Sequence, residues 1–300
     1  MISEAKSLKL INIYLHICER YDIELKHHCE RFSNNDQPKF SDQEIMAIYL
    51  FSVKEEQLTK VKQIHSFACN YLRDWFPDIG SYAAFNNRLN RLSSAFKCLG
   101  EMIISKHKPS DCSSVISLMD SMPIIVCSGK RSSKVAPELV NKTYCSTKNL
   151  WYHGLKLHAI GFQRNGKIPF PEQLLLTAAS ENDLNVFKEA WSGFENREFY
   201  GDKIYCDKPY FENLKNTKNS IMLTPVKAIK GQDKWGKQFD RASNDLYSQS
   251  VSAIRQPIES FFNWLIEKTD IQKASKVRST KGLLVHVFGK LTAAFISYMF

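Results

Sequence analysis

Three acidic residues lie in apolar surroundings, where a carboxylate has no obvious structural purpose. Asp120 follows the apolar run 115–119. Asp202 follows the shorter run 199–201, and Glu259 interrupts an apolar helical stripe. A buried carboxylate costs free energy unless a partner compensates its charge. A pair of divalent cations is a common compensation, and such a pair can catalyse the cleavage of a phosphodiester bond.

The charge of the chain suits a polyanionic partner such as DNA. The formal net charge is +10 over 300 residues. The segment 127–167 holds eight basic residues and one acid, and it begins shortly after Asp120. We therefore expect phosphates to pass along this segment, although a solvated basic loop would have the same composition. Its predicted DNA contacts include Lys130 and Arg131.

Composition also sets limits on the class of protein. Apolar residues make up 43% of the chain, so a sizeable core is expected and disorder is not. The segment near residue 1 has no apolar signal sequence, and the apolar stretch 283–300 is interrupted by His286 and Lys290. The eight cysteines contain no C-x-x-C pair, which is typical of free thiols. These features predict a cytoplasmic protein without a membrane span.

Residues 1–108 are predicted to form an all-helical N-terminal domain. Ser41 begins the sequence of a capping box, and an apolar stripe over 82–103 predicts one amphipathic helix. The predicted exposed face of that helix carries Arg88 and Arg91. Such helices could read DNA as a helix-turn-helix does. An ordinary helical bundle fits as well, and the near-neutral charge of the segment favours the bundle.

The apolar pattern changes beyond the polar segment 106–111, so residues 109–300 are predicted to form a second domain. Residues 226–246 are polar and contain glycine, and they are predicted to form a loop. Strands and helices alternate elsewhere, which indicates an α/β fold of the α+β kind. The predicted strands are 114–120, 154–162, 172–178, 198–202 and 221–224, and the predicted helices are 182–194, 208–216, 258–268 and 282–298.

Four motifs in this second part match a known family. The sequence L-M-D-S-M-P at 118–123 resembles a first-aspartate motif, and Y-H-G-L-K-L-H at 152–158 is similar to the strand that follows it. G-D-K-I-Y at 201–205 resembles the box of the second aspartate, with Ile204 in place of the usual glycine. R-Q-P-I-E at 255–259 matches R-x-x-x-E. Over 110–300 the chain therefore resembles DDE transposases of bacterial insertion sequences, in particular the group called after insertion sequence 982.

The resemblance implies a fold and a reaction. The fold is RNase H-like, a mixed five-stranded sheet flanked by helices, with the two aspartates on neighbouring strands and the glutamate on an adjacent helix. The family's catalytic positions fall on Asp120, Asp202 and Glu259, which would hold two Mg²⁺ ions or, in their place, Mn²⁺. One ion would activate the water that attacks the phosphodiester at the end of the element. The freed 3′-OH would then attack target DNA.

The resemblance also implies partners. These are double-stranded DNA, in the form of the terminal inverted repeats and the target, and a second copy of the chain that forms a homodimer on the DNA. The predicted DNA contacts near the metals are Lys156, His158, Lys203 and Arg255. His158 could equally be a core histidine, and Arg255 could hold a phosphate or orient the carboxylate of Glu259.

Each acid has an alternative explanation. Asp120 could cap a turn that follows it. Asp207 competes with Asp202, but it is better suited to capping a helix that starts at the next residue. Glu259 could be a solvated acid in the first turn of its helix, with Glu267 as the alternative ligand.

Two other functions remain open at the level of sequence. The chain could be a transposase-derived DNA-binding protein that no longer cleaves. It could also be a metal-dependent nuclease that hydrolyses DNA without joining strands.

Overall fold

The computed structural model describes residues 2–30, 38–130, 134–227, 229 and 231–299. The N-terminal part of these residues is helical, as predicted. Its α-helices are α1 (Glu4–Tyr21), α2 (Asp42–Glu55), α3 (Val61–Tyr71), α4 (Tyr82–Leu89) and α5 (Ser93–Lys106).

The predicted capping box at the start of α2 is confirmed. The backbone N–H of Glu44 donates to the hydroxyl of Ser41 at 3.3 Å, and the carboxylate of Glu44 accepts the backbone N–H of Ser41 at 2.6 Å. Two orphan N–H groups at the helix end are thereby satisfied. This reciprocal pair fixes where α2 begins.

The prediction of a single helix over 82–103 is wrong. The chain leaves the helix at Asn90 and re-enters it at Ser93, which separates α4 from α5. Leu89 and Leu92 are both fully buried on either side of this turn. The apolar spacing therefore continues through the break, which is why the periodicity did not reveal it.

A mixed sheet forms the centre of the second part. Its strands among the described residues are β1 (Ile116–Ser128), β2 (Asn141–Cys145), β3 (Leu150–Phe162), β4 (Phe170–Ala178), β5 (Glu198–Tyr200) and β6 (Ile221–Leu223). One edge of β3 pairs with β1, and the other pairs first with β2 and then with β4, all antiparallel. β5 is parallel to β1, and β6 is parallel to β5. The predicted mixed sheet is confirmed, with the short strand β2 in addition to the expected five.

Helices cover both faces of the sheet. They are α6 (Asp183–Val186), which continues into a π-helical turn (Phe187–Trp191), α7 (Lys208–Lys218), α8 (Lys234–Arg255), α9 (Pro257–Thr269) and α10 (Thr280–Phe295). The expected fold of an α+β sheet flanked by helices is thus present. Among the described residues, no helix has the length and apolar character needed to cross a membrane.

The predicted loop over 226–246 is wrong, because α8 starts within it. The side chain of Asp233 caps this helix by accepting the backbone N–H of Gly236 at 3.1 Å. The polar composition of the segment and its glycines favoured a loop. Large apolar side chains do recur at helical spacing here, but they face solvent, so the segment lacks the inward stripe that identifies most helices.

The main hydrophobic core runs without interruption from the N-terminal helices to the sheet. α10 joins them, because it packs against both α5 and α2. The hydroxyl of Thr292 on α10 donates to the backbone carbonyl of Phe96 on α5 at 2.6 Å. Gly289 lies so close to the ring of Tyr49 that an added Cβ would come within 2.7 Å of it. The domain boundary near residue 108 stays a prediction.

Candidate active site

Asp120 lies within β1 and not at its end. The strand continues to Ser128, so the alternative explanation, in which Asp120 caps a turn, is wrong. β5 pairs with β1 only as far as Leu118, which lies opposite Tyr200. Beyond that pair the β5 edge of β1 is open, and the carboxylate of Asp120 lies there and accepts the backbone N–H of Ser121 at 2.8 Å.

Asp202 follows the end of β5 at the matching position. Since Leu118 and Tyr200 are partners in register, Asp120 and Asp202 each come two residues after a paired position. The carboxylate of Asp202 accepts the backbone N–H of Ile204 at 2.9 Å, which forms a local turn. A Cβ on Gly201 would come within 2.6 Å of the ring of Tyr205, so this tight exit from the strand requires glycine.

Glu259 lies in the first turn of α9, after Pro257 at the first helical positions, as predicted. Arg255 ends the preceding helix α8 and joins two of the acids. Its Nη1 donates to Asp120 Oδ2 at 2.7 Å, and its Nη2 donates to Glu259 Oε1 at 2.5 Å. The arginine and the glutamate of the R-x-x-x-E motif are thus in contact across the junction of α8 and α9, and the arginine also contacts Asp120.

The pKa of Asp120 depends on its burial and on the charges around it. The pKa of Asp120 is raised to about 6, chiefly by burial and to a smaller extent by the negative charge of Asp202. The positive charge of Arg255 and the N–H of Ser121 oppose this increase.

Tyr205 is the last residue of the G-D-K-I-Y motif and lies near the acids. The sequence analysis assigned it no role. Its side chain is buried, and its hydroxyl has no hydrogen-bond partner among the described residues. Burial holds the pKa of this hydroxyl well above its usual value, and the charges of Asp183, Asp120 and Asp202 add to the effect. The phenol is therefore neutral and close to the acids.

The donor chemistry of the site suits a magnesium ion, since carboxylate oxygens are hard ligands and no sulfur is present. Within the described parts of the chain, however, no three His, Cys, Asp or Glu side chains are grouped closely enough to hold a metal ion. The guanidinium of Arg255 lies between Asp120 and Glu259 and supplies the positive charge that these carboxylates need. Arg255 would have to release them before they could hold a metal together.

A cleft opens beside Arg255 and Glu259. A cavity of about 520 Å³ is lined by Lys203, Arg255 and Glu259, and it shares Lys203 with a groove of about 960 Å³ between α8 and the α7–β6 side of the sheet. Lys203 and Arg255, both predicted to contact DNA, therefore line the cleft. The groove adds basic side chains that the sequence analysis did not single out: Lys208, Lys227, Lys237 and Arg241.

Lys156 and His158 lie away from this cleft. Asp120 is paired with Ala159, so the two neighbouring positions 156 and 158 alternate to the opposite face of the sheet. There Asp183 lies 3.1 Å from the Nζ of Lys156 and 3.2 Å from the Nδ1 of His158. His158 is fully buried and lies 2.8 Å from the hydroxyl of Thr177. This placement agrees with the alternative that His158 is a core histidine. It does not support a contact between His158 and DNA beside Asp120.

The prediction that Arg88 lies on an exposed helix face is also wrong. Arg88 pairs with the fully buried Asp42 and donates to the backbone carbonyl of Glu30 at 2.7 Å, so it links α4 to α2. Arg91 lines a separate cavity of about 840 Å³ with Lys281. DNA reading by this helical part stays a prediction.

The two remaining predicted contacts lie in the basic segment. Lys130 is exposed just beyond β1, and Arg131 lies outside the described residues. Other basic residues of this segment are already in contact with the protein, since Arg164 and Lys167 both pair with Asp111. The basic composition of the segment therefore overstates the positive charge that it offers to DNA.

The competing acids have structural roles or lie elsewhere. Asp207 caps α7 by accepting the backbone N–H of Tyr210 at 3.2 Å, and it pairs with Lys188 at 2.6 Å. This agrees with the predicted N-cap. Glu267 is exposed near the other end of α9, eight residues after Glu259 and therefore about 12 Å along the helix. Neither acid takes part in the contacts around Arg255.

Comparison with known proteins identifies the family. The family described as "Transposase DDE domain" matches residues 110–274, which is more than half of the chain. The chain therefore belongs to the DDE transposase family. No curated protein matches it at a significant level.

One solved structure was also matched, "Mos1 transposase paired-end complex with left transposon end". It is 12% identical, and the match covers 82% of this chain and 87% of that chain, with a TM-score of 0.20. A superposition with so low a score supports no conclusion about this chain.

Proposed function

We propose that this transposase, of the group called after insertion sequence 982, uses Asp120, Asp202 and Glu259 to cut DNA at the ends of its own element and to join the freed 3′ ends to target DNA. The supporting observation is that Arg255 joins Asp120 on β1 to Glu259 at the start of α9. Asp202 follows β5 at the position that matches Asp120 in register, which supports its inclusion in the same site.

Mg²⁺ held by these carboxylates would activate the attacking oxygen and neutralise the leaving one. The chain itself supplies the other requirements. The backbone N–H groups of Ser121 and Ile204 orient the two aspartates. The burial that raises the pKa of Asp120 favours a compensating cation beside it.

The cleft favours a polyanionic substrate. Lys203 stands at the point where the cavity beside Arg255 and Glu259 meets the larger groove, and further lysines line that groove. Phosphates attract such residues without regard to base sequence. Double-stranded DNA with the terminal repeats of the element is the proposed substrate, and target DNA is the acceptor.

The test is Mg²⁺-dependent nicking of DNA that carries the terminal inverted repeats. We expect Asp120→Asn and Asp202→Asn to reduce nicking by about 10⁴-fold, the order of loss seen when one member of a catalytic unit is removed. Asp207→Asn is the matched control. It keeps the helix cap, since asparagine also caps helices, and removes only the ion pair with Lys188, so it should leave nicking intact and change the stability only slightly.

The outcomes separate the three functions. If the wild type nicks no better than Asp120→Asn, the chain is a DNA-binding protein without cleavage activity. If the wild type nicks but does not join pre-cut ends to a target, it is a nuclease. Joined product that disappears with either aspartate supports the proposal.

A further inference from the structure

The motif residues Lys156 and His158 meet at an acid that the sequence analysis did not single out. Asp183 begins α6, and its Oδ1 lies 3.1 Å from the Nζ of Lys156 and 3.2 Å from the Nδ1 of His158. Lys156 also donates to the backbone carbonyl of Glu181 at 2.7 Å, just before the helix. Both motif residues of β3 therefore hold the start of α6, on the face of the sheet opposite to Asp120.

This cluster is largely shielded from water. His158 is fully buried, and the side chains of Lys156 and Asp183 are only 19% and 13% exposed. Burial alone would raise the pKa of Asp183, but the contacts with His158 and Lys156 hold this pKa below its usual value, so the carboxylate is charged. The net gain from an ion pair out of water is small, because both charges lose their hydration. The cluster is therefore better suited to fixing geometry than to adding stability.

The cluster lies behind the strand segment that orients Asp120. In the register of β1 and β3, His158 is the partner of Ser121, whose backbone N–H donates to the carboxylate of Asp120 at 2.8 Å. The imidazole of His158 is held on one side by Asp183 and on the other by the hydroxyl of Thr177 on β4, which lies 2.8 Å from its Nε2. A displacement of His158 would therefore move Ser121 and turn the carboxylate of Asp120.

The helix that begins at Asp183 also supports the second aspartate. It continues into the π-helical turn, where the ring centroid of Phe187 lies 6.4 Å from that of Tyr205. Tyr205 in turn packs so close to Gly201 that an added Cβ would come within 2.6 Å of its ring. Gly201 directly precedes Asp202. Contacts thus run from α6 through the smaller hydrophobic core on this face to the turn that carries Asp202.

We propose that Asp183 is a positioning residue of the active site. It holds Lys156 and His158, and it thereby fixes the direction of the Asp120 carboxylate towards the metal. The helix that it begins supports the turn of Asp202 in the same way. This inference rests on the proposed function, in which the two aspartates hold Mg²⁺. Since Asp183 lies on the other face of the sheet and contacts neither the metal nor DNA in this role, its loss should impair metal binding and cleavage without affecting the binding of DNA.

Metal binding in the absence of DNA tests the proposal, with Mn²⁺ as the probe and electron paramagnetic resonance as the measurement. Asp183→Asn keeps the shape of the side chain and removes its charge. We expect it to weaken Mn²⁺ binding by about 10- to 100-fold, the loss typical when a group that supports a metal ligand is removed. Asp111→Asn is the matched control, because Asp111 also pairs with two basic side chains, those of Arg164 and Lys167, but lies before the start of β1. It should bind Mn²⁺ as the wild type does.

The kinetics of nicking separate positioning from folding. On DNA with the terminal repeats in millimolar Mg²⁺, Asp183→Asn should lower kcat by about 10- to 100-fold and leave the KM for DNA within about twofold of the wild type. Circular dichroism gives the folded fraction, to which the rates are referred. Lys156→Gln is a milder second variant at the edge of the cluster, and it should show the same separation of kcat from KM to a smaller extent. Combined with Asp183→Asn it should add little, since both changes act through one contact.

Three results would overturn the inference. One is a folded Asp183→Asn that binds Mn²⁺ and cleaves like the wild type, in which case the proposed function stands and only the positioning role is lost. Another is a higher KM for DNA with an unchanged kcat, which would make the cluster a DNA contact. The third is a wild type that binds Mn²⁺ no better than Asp120→Asn, which would remove the proposed function as well.

Discussion

Arg255 balances the charge of two catalytic candidates, Asp120 and Glu259. Its guanidinium is the main group that lowers the pKa of Asp120 against the effect of burial, and the same group holds Glu259. A cation bound by the acids would supply the same charge. If the acids hold a metal as proposed, Arg255 would therefore compete with it for their carboxylates.

The competition can be measured by thermal unfolding. In metal-free buffer we expect Arg255→Gln to lower the free energy of unfolding by about 2 kcal/mol, because Asp120 is left buried without its counter-charge. Millimolar Mg²⁺ should raise the melting temperature of this variant more than that of the wild type. Arg255→Gln combined with Asp120→Asn is the control, and it should lose the extra increase. An equal Mg²⁺ effect in wild type and Arg255→Gln would exclude the competition.

The sequence singles out three candidate acids, but it does not describe their surroundings. Asp120, Asp202 and Glu259 stand out because carboxylates are rare beside apolar runs, and Arg255 stands out through its spacing to Glu259. The contact between Arg255 and Asp120 spans 135 positions of sequence and depends on how α8 meets α9. No local sequence pattern predicts a contact over such a separation.

At the level of the elements, β1 and β3 are the longest strands and carry much of the framework around Asp120. Gly154 is the glycine of the Y-x-G-x-K-x-H motif, and it lies opposite Ile125 where the pairing shifts by one residue. A Cβ at this position would come within 2.0 Å of the backbone carbonyl oxygen of Ile124. The motif glycine is therefore explained by close approach of two backbones.

We expect Gly154→Ala to destabilise the fold by about 3 kcal/mol, since the strands must move apart to admit the methyl group. Gly193→Ala is the control, because nothing lies within 4 Å of its added Cβ and the stability should change by less than about 0.5 kcal/mol. Urea unfolding at equilibrium compares the two. If both variants unfold at the same urea concentration, the close approach of the strands is not limiting.

Strands with alternating or continuous apolar residues were predictable, and so were helices with an inward stripe. α9 and α10 were placed within two or three residues of their observed ends for this reason. α8 was missed because its apolar residues face outward, and β2 because its five residues are mostly polar. Both elements are recognisable only from their partners in space.

At the level of the whole molecule, α10 carries a lysine into the core. Lys290 has only 2% of its surface exposed and donates to the backbone carbonyl of Asp270 at 3.2 Å. Burial lowers the pKa of Lys290 to about 8. The unfolded chain therefore binds this proton more tightly than the folded one.

The sign of the pH effect follows from this difference. Below pH 8 the lysine is charged in both states and burial destabilises the fold. Between pH 8 and about 10.5 only the folded state loses the proton, so this cost disappears as the pH rises. Lys290→Met should therefore be up to about 3 kcal/mol more stable than the wild type at pH 7, and less so at pH 10. Urea unfolding at both values measures this, and a difference that is independent of pH would refute the assignment.

The position of α10 has a consequence for biosynthesis. This helix is made after residue 279, yet it fills the space between α2 and α5, which leave the ribosome much earlier. Until it arrives, apolar surface around Tyr49 and Phe96 has no cover. We therefore expect any translation product that stops before residue 280 to be degraded or to aggregate, although all three acids would already be present in it.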